Sequence, residues 1–263
     1  IHAAAAAFGF GAPPLIEGLE FEDDNLSPEI ALNYYLNDNT SVYVAYKKAF
    51  KSGGIDNSAL PTASINPLSP TFEGFDALIY DSEEADGFEI GLKSNLFDNN
   101  MRINATYYKY EYTDLQVQLF DANIIQFSTF NAGAVETEGF EADMLWYTDI
   151  EGLTLRGQFA WTDAVNTGDF FNTSGVNLKG SERSYSPEIA GSLGLSYDSS
   201  LFSGWRYTFS TDARYSDDYA WGVYRNSPRQ DSYWINDAAI SIYSEDGKHS
   251  INPVSYTHLT LPT

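Results

Sequence analysis

WRYTFSTDARYS, residues Trp205–Ser216, reads as one extended strand with two incompatible surfaces. Trp205, Tyr207, Phe209, Ala213 and Tyr215 share one side, and Arg206, Thr208, Ser210, Asp212, Arg214 and Ser216 share the other. Successive side chains of a β-strand point to opposite faces, so the segment is oily on one surface and wet on the other. Leu153–Thr162 repeats the design: Leu153, Leu155, Phe159 and Trp161 oppose Thr154, Arg156, Gln158 and Thr162. In Phe88–Lys93, Phe88, Ile90 and Leu92 oppose Glu89 and Lys93; in Met101–Tyr108, Met101, Ile103, Ala105 and Tyr107 oppose Arg102, Asn104 and Thr106. The same period predicts strands at Glu29–Leu36, Thr40–Phe50, Val135–Tyr147, Glu188–Tyr197 and Tyr233–Tyr243. No segment carries a helical repeat, and the predicted class is all-β.

Alternation alone also describes a soluble sandwich with one solvated face per sheet. The connections separate the two. Asn37–Asn39, Phe97–Asn100, Thr148–Gly152 and Ser244–Gly247 are tight polar turns, with Asp198–Gly204 slightly longer. Between them run the long connections Lys51–Ala85, Leu119–Ala134, Asp163–Pro187 and Asp217–Asp231. Short and long alternate along the chain, as in an antiparallel transmembrane β-barrel with brief periplasmic turns and extended extracellular loops. The periodic runs are about ten residues, the length a tilted strand needs to cross a bilayer. Aromatics gather near the ends of the apolar faces (Tyr46, Phe50, Trp146, Trp161, Trp205, Trp234), where interfacial girdles belong.

Composition bounds the function. Lys+Arg total 14 against Asp+Glu 37, a formal net charge of -23, so binding to a nucleic-acid backbone is not expected. There is no cysteine, which removes disulfides, thiolate metal sites and a cysteine nucleophile. No apolar run reaches the roughly 18 residues of a transmembrane helix. The apolar opening Ile1–Ala12 has neither a starting Met nor a basic region and is not read as a signal peptide. The histidines, His2, His249 and His258, are scattered, and no G-x-S-x-G elbow, P-loop or dinucleotide fingerprint occurs. An enzyme is not expected, nor any cofactor.

Three groups of residues are candidates for function. Asp81, Glu83, Glu84 and Asp86 close a long outer connection and offer hard oxygen ligands to a divalent cation, although their spacing matches no calcium-loop template and a solvated charged loop is the plainer reading. Trp221, Tyr224, Arg225 and Arg229 lie in another outer loop, with the aromatic and guanidinium chemistry that recognition surfaces favour. Glu89, Lys93, Glu141, Asp143, Arg156, Arg206, Asp212 and Arg214 are predicted to face a wet lumen.

Several ordered stretches carry a family likeness. SVYVAYKKAFKSGG (Ser41–Gly54) resembles the strand and Gly-Gly loop of TonB-dependent receptors; FEIGLKSNLFDNNMRINATYYKYEYTDLQVQ, within Gly87–Gln118, is similar to the hairpin that follows; FNAGAVETEGFEADM (Phe130–Met144) resembles the next strand with its Asn-Ala-Gly and Gly-x-Glu. With SPEIALNYYLNDN (Ser27–Asn39) and the hairpin Asp237–Gly247, the resemblance spans roughly Phe21 to Asn252. Lys48-Ala49 stands where many members carry Arg-Gly. The likeness covers neither a plug domain, nor a TonB box, nor a terminal aromatic strand, so the sequence is read as a barrel fragment, residues 1–252. It would contribute about nine or ten strands of a barrel of about 22. VSYTHLTLPT (Val254–Thr263) breaks in composition from the preceding strand and resembles adapter read-through, so 253–263 is expected to be a non-native tail.

The resemblance implies the outer membrane of a Gram-negative bacterium and active import of a scarce ligand, with ferric siderophore the leading class. The partners it implies are outer-membrane lipid, a plug clasped by the lumen charges, and TonB–ExbB–ExbD. Two other readings stay open: a passive porin-type channel, and a soluble secreted β-rich carbohydrate-binding protein.

Overall fold

Runs rich in Val, Ile, Tyr, Phe and Thr suit an extended pleated backbone, and Asn, Asp and Gly break them where the chain must reverse. The computed structural model describes residues 20–56, 78–121, 126–172, 175–222 and 227–259. β1 (Glu29–Asn37) and β2 (Thr40–Lys51) form a hairpin, and β3 (Gly54–Ile55) with β4 (Ile79–Tyr80) makes a short ladder before β5 (Glu83–Leu96). β6 (Met101–Thr113) leads through the hairpin of β7 (Gln116–Asp121) and β8 (Gln126–Asn131) to β9 (Ala134–Tyr147). β10 (Leu153–Asn166), β11 (Ile189–Phe202) and β12 (Trp205–Ser216) follow, then the small pair β13 (Tyr219–Ala220) and β14 (Arg229–Gln230). β15 (Tyr233–Ser244), β16 (Ser250–Ile251) and β17 (Val254–Leu259) complete the described chain. No α-helix occurs among the described residues.

The long strands make one antiparallel sheet in the order β1-β2-β5-β6-β9-β10-β11-β12-β15, with β16 and β17 both paired to β15. Each long strand pairs with its neighbours in sequence, so the wall is an up-and-down meander. At one end the turns are brief. The Asn37 side chain accepts from the Asn39 backbone N–H, and Phe97, Asp98 and Asn99 turn at φ 53, 53 and 68°. Gly204, at φ 77°, reverses the chain between β11 and β12 in the left-handed region that glycine enters without a Cβ penalty.

Register fixes which residues share a face. Ser41, Lys93, Asn104, Asp143, Gln158, Ser192 and Arg214 are mutually opposed across seven neighbouring strands. The other face carries Val44, Ile90, Tyr107, Phe140, Trp161 and Ile189 in one such row. Nothing described covers this apolar face: Leu193 is 67% exposed, Ile90 49% and Phe159 44%. A soluble protein rarely leaves so wide an apolar surface uncovered, and neither a second sheet nor a helix layer lies against it. The apolar cluster of buried residues, Ala132, Phe170 and Leu178, sits instead among the outer connections.

The apolar band is bounded by aromatics. Tyr215–Trp234 rings lie 5.0 Å apart and Phe140–Phe159 6.3 Å toward the long-loop end, while Phe97–Trp146 and Tyr197–Tyr207, both at 6.1 Å, mark the short-turn end. From Trp205 to Tyr215 the strand rises roughly 33 Å at about 3.3 Å per residue, and a tilt of about 40° reduces that to roughly 25 Å, the height of a lipid-facing band.

Several boundaries differ from the sequence-based expectation for one physical reason. β5 begins at Glu83 rather than Phe88, β6 runs on to Thr113 and β10 to Asn166. Beyond the aromatics the outward positions become Asp86, Lys109, Glu138 and Asp163. Pairing therefore continues while the hydrophobic alternation stops. Leu119–Ala134 was expected to be a plain connection but contains most of the β7–β8 hairpin, and β11 extends to Phe202, so the turn expected over Asp198–Gly204 contracts to Ser203–Gly204. Val254–Leu259, set aside from the fold on composition, pairs antiparallel with Trp234–Ala239. Pro253 precedes this strand, where its missing N–H leaves no ladder bond unmade.

Two outcomes follow. In a bilayer folding titration of the full-length protein, Phe209→Arg should destabilise by about 2–4 kcal/mol and Ser210→Arg by far less, because Phe209 meets lipid and Ser210 water; equal effects would reverse the face assignment. The 263-residue chain expressed alone should aggregate, because β1 at one end of the sheet and β17 at the other present unpaired edges; a monodisperse soluble monomer in detergent-free buffer contradicts this.

Candidate functional site: the inner wall and the outer rim

The predicted lumen charges Glu89, Lys93, Glu141, Asp143, Arg156, Arg206, Asp212 and Arg214 all fall on the polar face of the sheet. Most are matched across strands. Lys47 Nζ lies 2.9 Å from Glu89 Oε1, which also accepts the Tyr110 hydroxyl at 2.6 Å. Asn104 donates to both oxygens of Asp143, at 3.1 and 2.9 Å. Arg206, Thr208 and Tyr243 all donate to Asp198, and Arg214 pairs with Asp237. Lys93 sits 5.5 Å from the Tyr43 ring centroid, a cation–π contact. Glu141 has no ion-pair partner among the described residues; with Asp143, Gln158, Ser192 and Arg214 it lines a hollow of about 530 Å³ on the inner wall.

Arg156 and Asp212 meet over an intervening strand. Arg156 Nη2 is 2.6 Å and Nε 3.1 Å from the Asp212 carboxylate, a two-pronged contact. Between them on β11 stands Gly194, opposite both. A Cβ there would meet Arg156 Nε and Asp212 Oδ1 at once. The absent side chain is what lets the pair close.

The long connections are stitched into a continuous rim. The Gln116 side chain donates to the carbonyls of Lys51, Ser52 and Asp81, and Asn131 Nδ2 donates to those of Asp81 and Asp114. Asp56, 6% exposed, accepts the Thr129 N–H at 2.7 Å. Val117 and Phe130 pack against the cluster that Ala132 forms with Phe170 and Leu178 of the next connection. That connection in turn reaches the β13–β14 hairpin through Tyr185 N–H to Ala220 O at 2.9 Å and through the Tyr185–Tyr219 rings.

The outer-loop candidates separate. Trp221 is 51% exposed on the rim. Tyr224 and Arg225 lie outside the described residues. Arg229 is engaged elsewhere: it pairs with Glu182 and with Asp218, whose hydrogen bonds raise its pKa, so it clamps two loops together. The acidic candidates do not converge, and among the described residues no group of three metal-ligating side chains forms. Alternation splits them: Glu84 and Asp86 face outward, where they engage Lys48 at 2.8 Å and the Tyr46 hydroxyl at 3.3 Å. Glu83 turns inward and accepts the Gln116 N–H at 2.9 Å, while Asp81 is held through its backbone. Sequence reasoning missed Gln116, Asn131 and Asp56, whose roles come from contacts across loops that no local pattern encodes.

An uncovered apolar outer face, a charged inner face, short turns at one end and packed loops at the other define the wall of an outer-membrane β-barrel. The model of the family described as TonB dependent receptor-like, beta-barrel, matches residues 7–250, and the chain belongs to that family. Its sheet therefore lies in the outer membrane of a Gram-negative bacterium. Among solved structures, it is similar to the ferric yersiniabactin uptake receptor FyuA from Yersinia pestis, at TM-score 0.67 and 14% identity over 87% of this chain and 31% of that one. It is also similar to the siderophore receptor PiuA from Acinetobacter baumannii, at TM-score 0.60 and 20% identity over 85% and 30%. The ferripyoverdine receptor of the outer membrane of Pseudomonas aeruginosa matches at TM-score 0.58 and 19% identity over 88% and 29%. The chain thus spans about a third of the length of these receptors. A sequence comparison with curated proteins returns no match.

The Gly194 arrangement is testable by a double-mutant cycle on Arg156→Met and Asp212→Asn. Both side chains are part-exposed, so a coupling of about 0.2–1 kcal/mol is expected in chemical unfolding of the full-length protein, falling to zero in a Gly194→Val background. Coupling that survives Gly194→Val shows that the pair closes without the gap.

Proposed function

We propose that this chain is the wall segment of an active outer-membrane transporter that imports a scarce ligand, a ferric siderophore. The observation that carries the reading is the combination of the family match with the two-faced wall: the inner face is wet and lined with matched charges, and a rim of interlocked loops stands above it. In this scheme the rim captures the ligand, with Trp221, Tyr224 and Arg225 contributing aromatic and cationic contacts. A plug domain occupies the bore and docks against the inner wall. TonB–ExbB–ExbD, engaging a TonB box, supplies the energy that displaces the plug. The inner wall suits such a partner because its charges are held in fixed positions, and Glu141, with no ion-pair partner among the described residues, offers a carboxylate to a cation on the plug. The solved neighbours named above, receptors for ferric yersiniabactin, ferripyoverdine and another siderophore, support this ligand class.

The test is growth of an iron-starved host in which the full-length gene is the sole outer-membrane route for a supplied ferric siderophore. Growth should require both the gene and a functional TonB. Growth that persists without TonB points to passive permeation and overturns active import. Within this assay, Trp221→Ala combined with Arg225→Ala should weaken ligand affinity by about tenfold or more, the scale of a lost recognition contact. Unchanged affinity removes this loop from the site.

A further inference from the structure

We propose that three side chains of the inner wall, Tyr43, Tyr108 and Arg156, are register locks. Each crosses a glycine of the next strand and fastens to the strand beyond, and so fixes the pairing at seams that no tight turn controls. This role is independent of what the barrel carries.

A slip of one residue between neighbouring strands turns every side chain to the wrong face, and the oily–wet alternation forbids it. A slip of two residues, roughly 7 Å along the strand, returns each side chain to its own face. Alternation therefore builds the wall without choosing between registers two residues apart. Within a hairpin the tight turn makes that choice, and β1–β2, β5–β6, β9–β10 and β11–β12 are joined in this way. The seams β2–β5, β6–β9, β10–β11 and β12–β15 are joined through the long outer connections. A long loop closes at almost the same entropic cost in either register.

Three of these four seams carry one arrangement. At β2–β5, Tyr43 stands opposite Gly91, and Gly91 stands opposite Thr106 of β6. The Tyr43 ring lies over the glycine, and its hydroxyl shares a hydrogen bond of 3.0 Å with Thr106 Oγ1. At β6–β9, Tyr108 crosses Gly139 and meets Thr162 of β10 at 3.2 Å. At β10–β11, Arg156 crosses Gly194 and meets Asp212 of β12. The order is constant: the covering side chain comes from the strand before the seam, the glycine from the strand after it, and the anchor from that strand's hairpin partner. Each hairpin is thereby strapped to the next. Tyr110 provides the contrast, because it covers Gly87 inside the turn-joined β5–β6 pair and its hydroxyl returns to Glu89 of β5. The fourth seam, β12–β15, is crossed from the other side by Tyr243, whose hydroxyl reaches Asp198 of β11.

The glycines make the fit specific. A Cβ on Gly91 would collide with the Tyr43 ring, and one on Gly139 would lie 2.6 Å from Tyr108 Cζ. The inward neighbours of Gly91 on β5 are Glu89 and Lys93, and those of Gly139 on β9 are Thr137 and Glu141. A two-residue slip brings one of these beneath the ring, lifts it off the wall and carries the threonine away from the hydroxyl. Aromatic cover of a glycine is a known means of pinning strand register; here it stands where turn control is lacking.

Disulfide trapping reads the register in the full-length receptor refolded into bilayers, in a background whose only cysteines are introduced ones. Val44 opposes Ile90, so Val44→Cys with Ile90→Cys reports the native pairing. Val44→Cys with Phe88→Cys or Leu92→Cys reports a slip, since these diagonal positions lie about 7–8 Å apart in the native register, too far to bridge. At β5–β6, where Ile90 opposes Tyr107, Ile90→Cys with Ala105→Cys or Lys109→Cys does the same. Tyr43→Ala and Gly91→Ala should each raise the slipped disulfides at β2–β5 roughly tenfold over wild type, the effect of losing a ring contact together with its hydrogen bond. Tyr110→Ala uncovers Gly87 equally, yet should leave β5–β6 in register because its turn holds it. Lost stability in both tyrosine variants with native disulfides alone means that the rings only pack, and overturns the proposal; so does slippage at both seams. Should Tyr43→Ala not fold, Tyr43→Phe, which keeps the ring and loses only the bond to Thr106, decides in its place: a smaller rise supports the lock and no rise overturns it.

Discussion

Every feature of this chain depends on the constraint that a backbone in hydrocarbon must satisfy its own N–H and C=O groups. Lipid offers no hydrogen-bond partner, and each unmet polar group there costs several kcal/mol. Strands meet the requirement only by pairing on both sides, and the wall strands β2, β5, β6, β9, β10, β11 and β12 do so along most of their length. Once pairing fixes the backbone, the alternation of side chains decides everything else. One face must be acceptable to lipid and the other to water, so Phe159 and Leu193 go outward while Arg156 and Asp212 go inward. The apolar residues here form no core in the usual sense; they stabilise the sheet by partition into the bilayer.

The inner wall shows what the wet face makes possible. Ion pairs such as Lys47–Glu89 and Arg214–Asp237 are part-exposed and each contributes little to stability. Their value lies in position, because a charge held by a cross-strand partner presents a fixed surface to whatever fills the bore. Gly194 shows that the wall is tuned at this level, since a missing side chain on β11 lets residues from β10 and β12 meet. Carboxylates such as Glu84, Asp86, Glu138 and Asp163 stand on the outward face only beyond the aromatics. That placement keeps the lipid band free of charge and makes the extramembrane wall strongly solvated.

Much of this was legible in the sequence because the membrane enforces a local rule. Trp205–Ser216 was recovered to the residue, and the wall strands and their faces follow from period-2 alternation. The same rule explains where legibility ended. Past Phe88 and Tyr107 the outward positions are charged, so the strands continue without the signal that marked them. The rim was illegible for a different reason: Gln116, Asn131 and Asp56 act between loops distant in sequence, and polar loop residues look alike before they are brought together. The acidic run Asp81–Asp86 looked like one cluster, yet strand geometry sends Glu83 and Glu84 to opposite faces.

The most direct measurement is made in a background whose only cysteines are introduced ones; this stretch of chain has none of its own. Single cysteines placed along Trp205–Ser216 of the full-length protein in bilayers, spin-labelled in turn, report collision with a lipid-soluble and a water-soluble relaxant. The account predicts two opposed period-2 profiles, with oxygen access peaking at 207, 209, 211 and 213 and nickel-chelate access at 206, 208, 210 and 212. In-phase profiles, or odd positions shielded from both relaxants, would mean that the apolar face is packed against protein and not lipid.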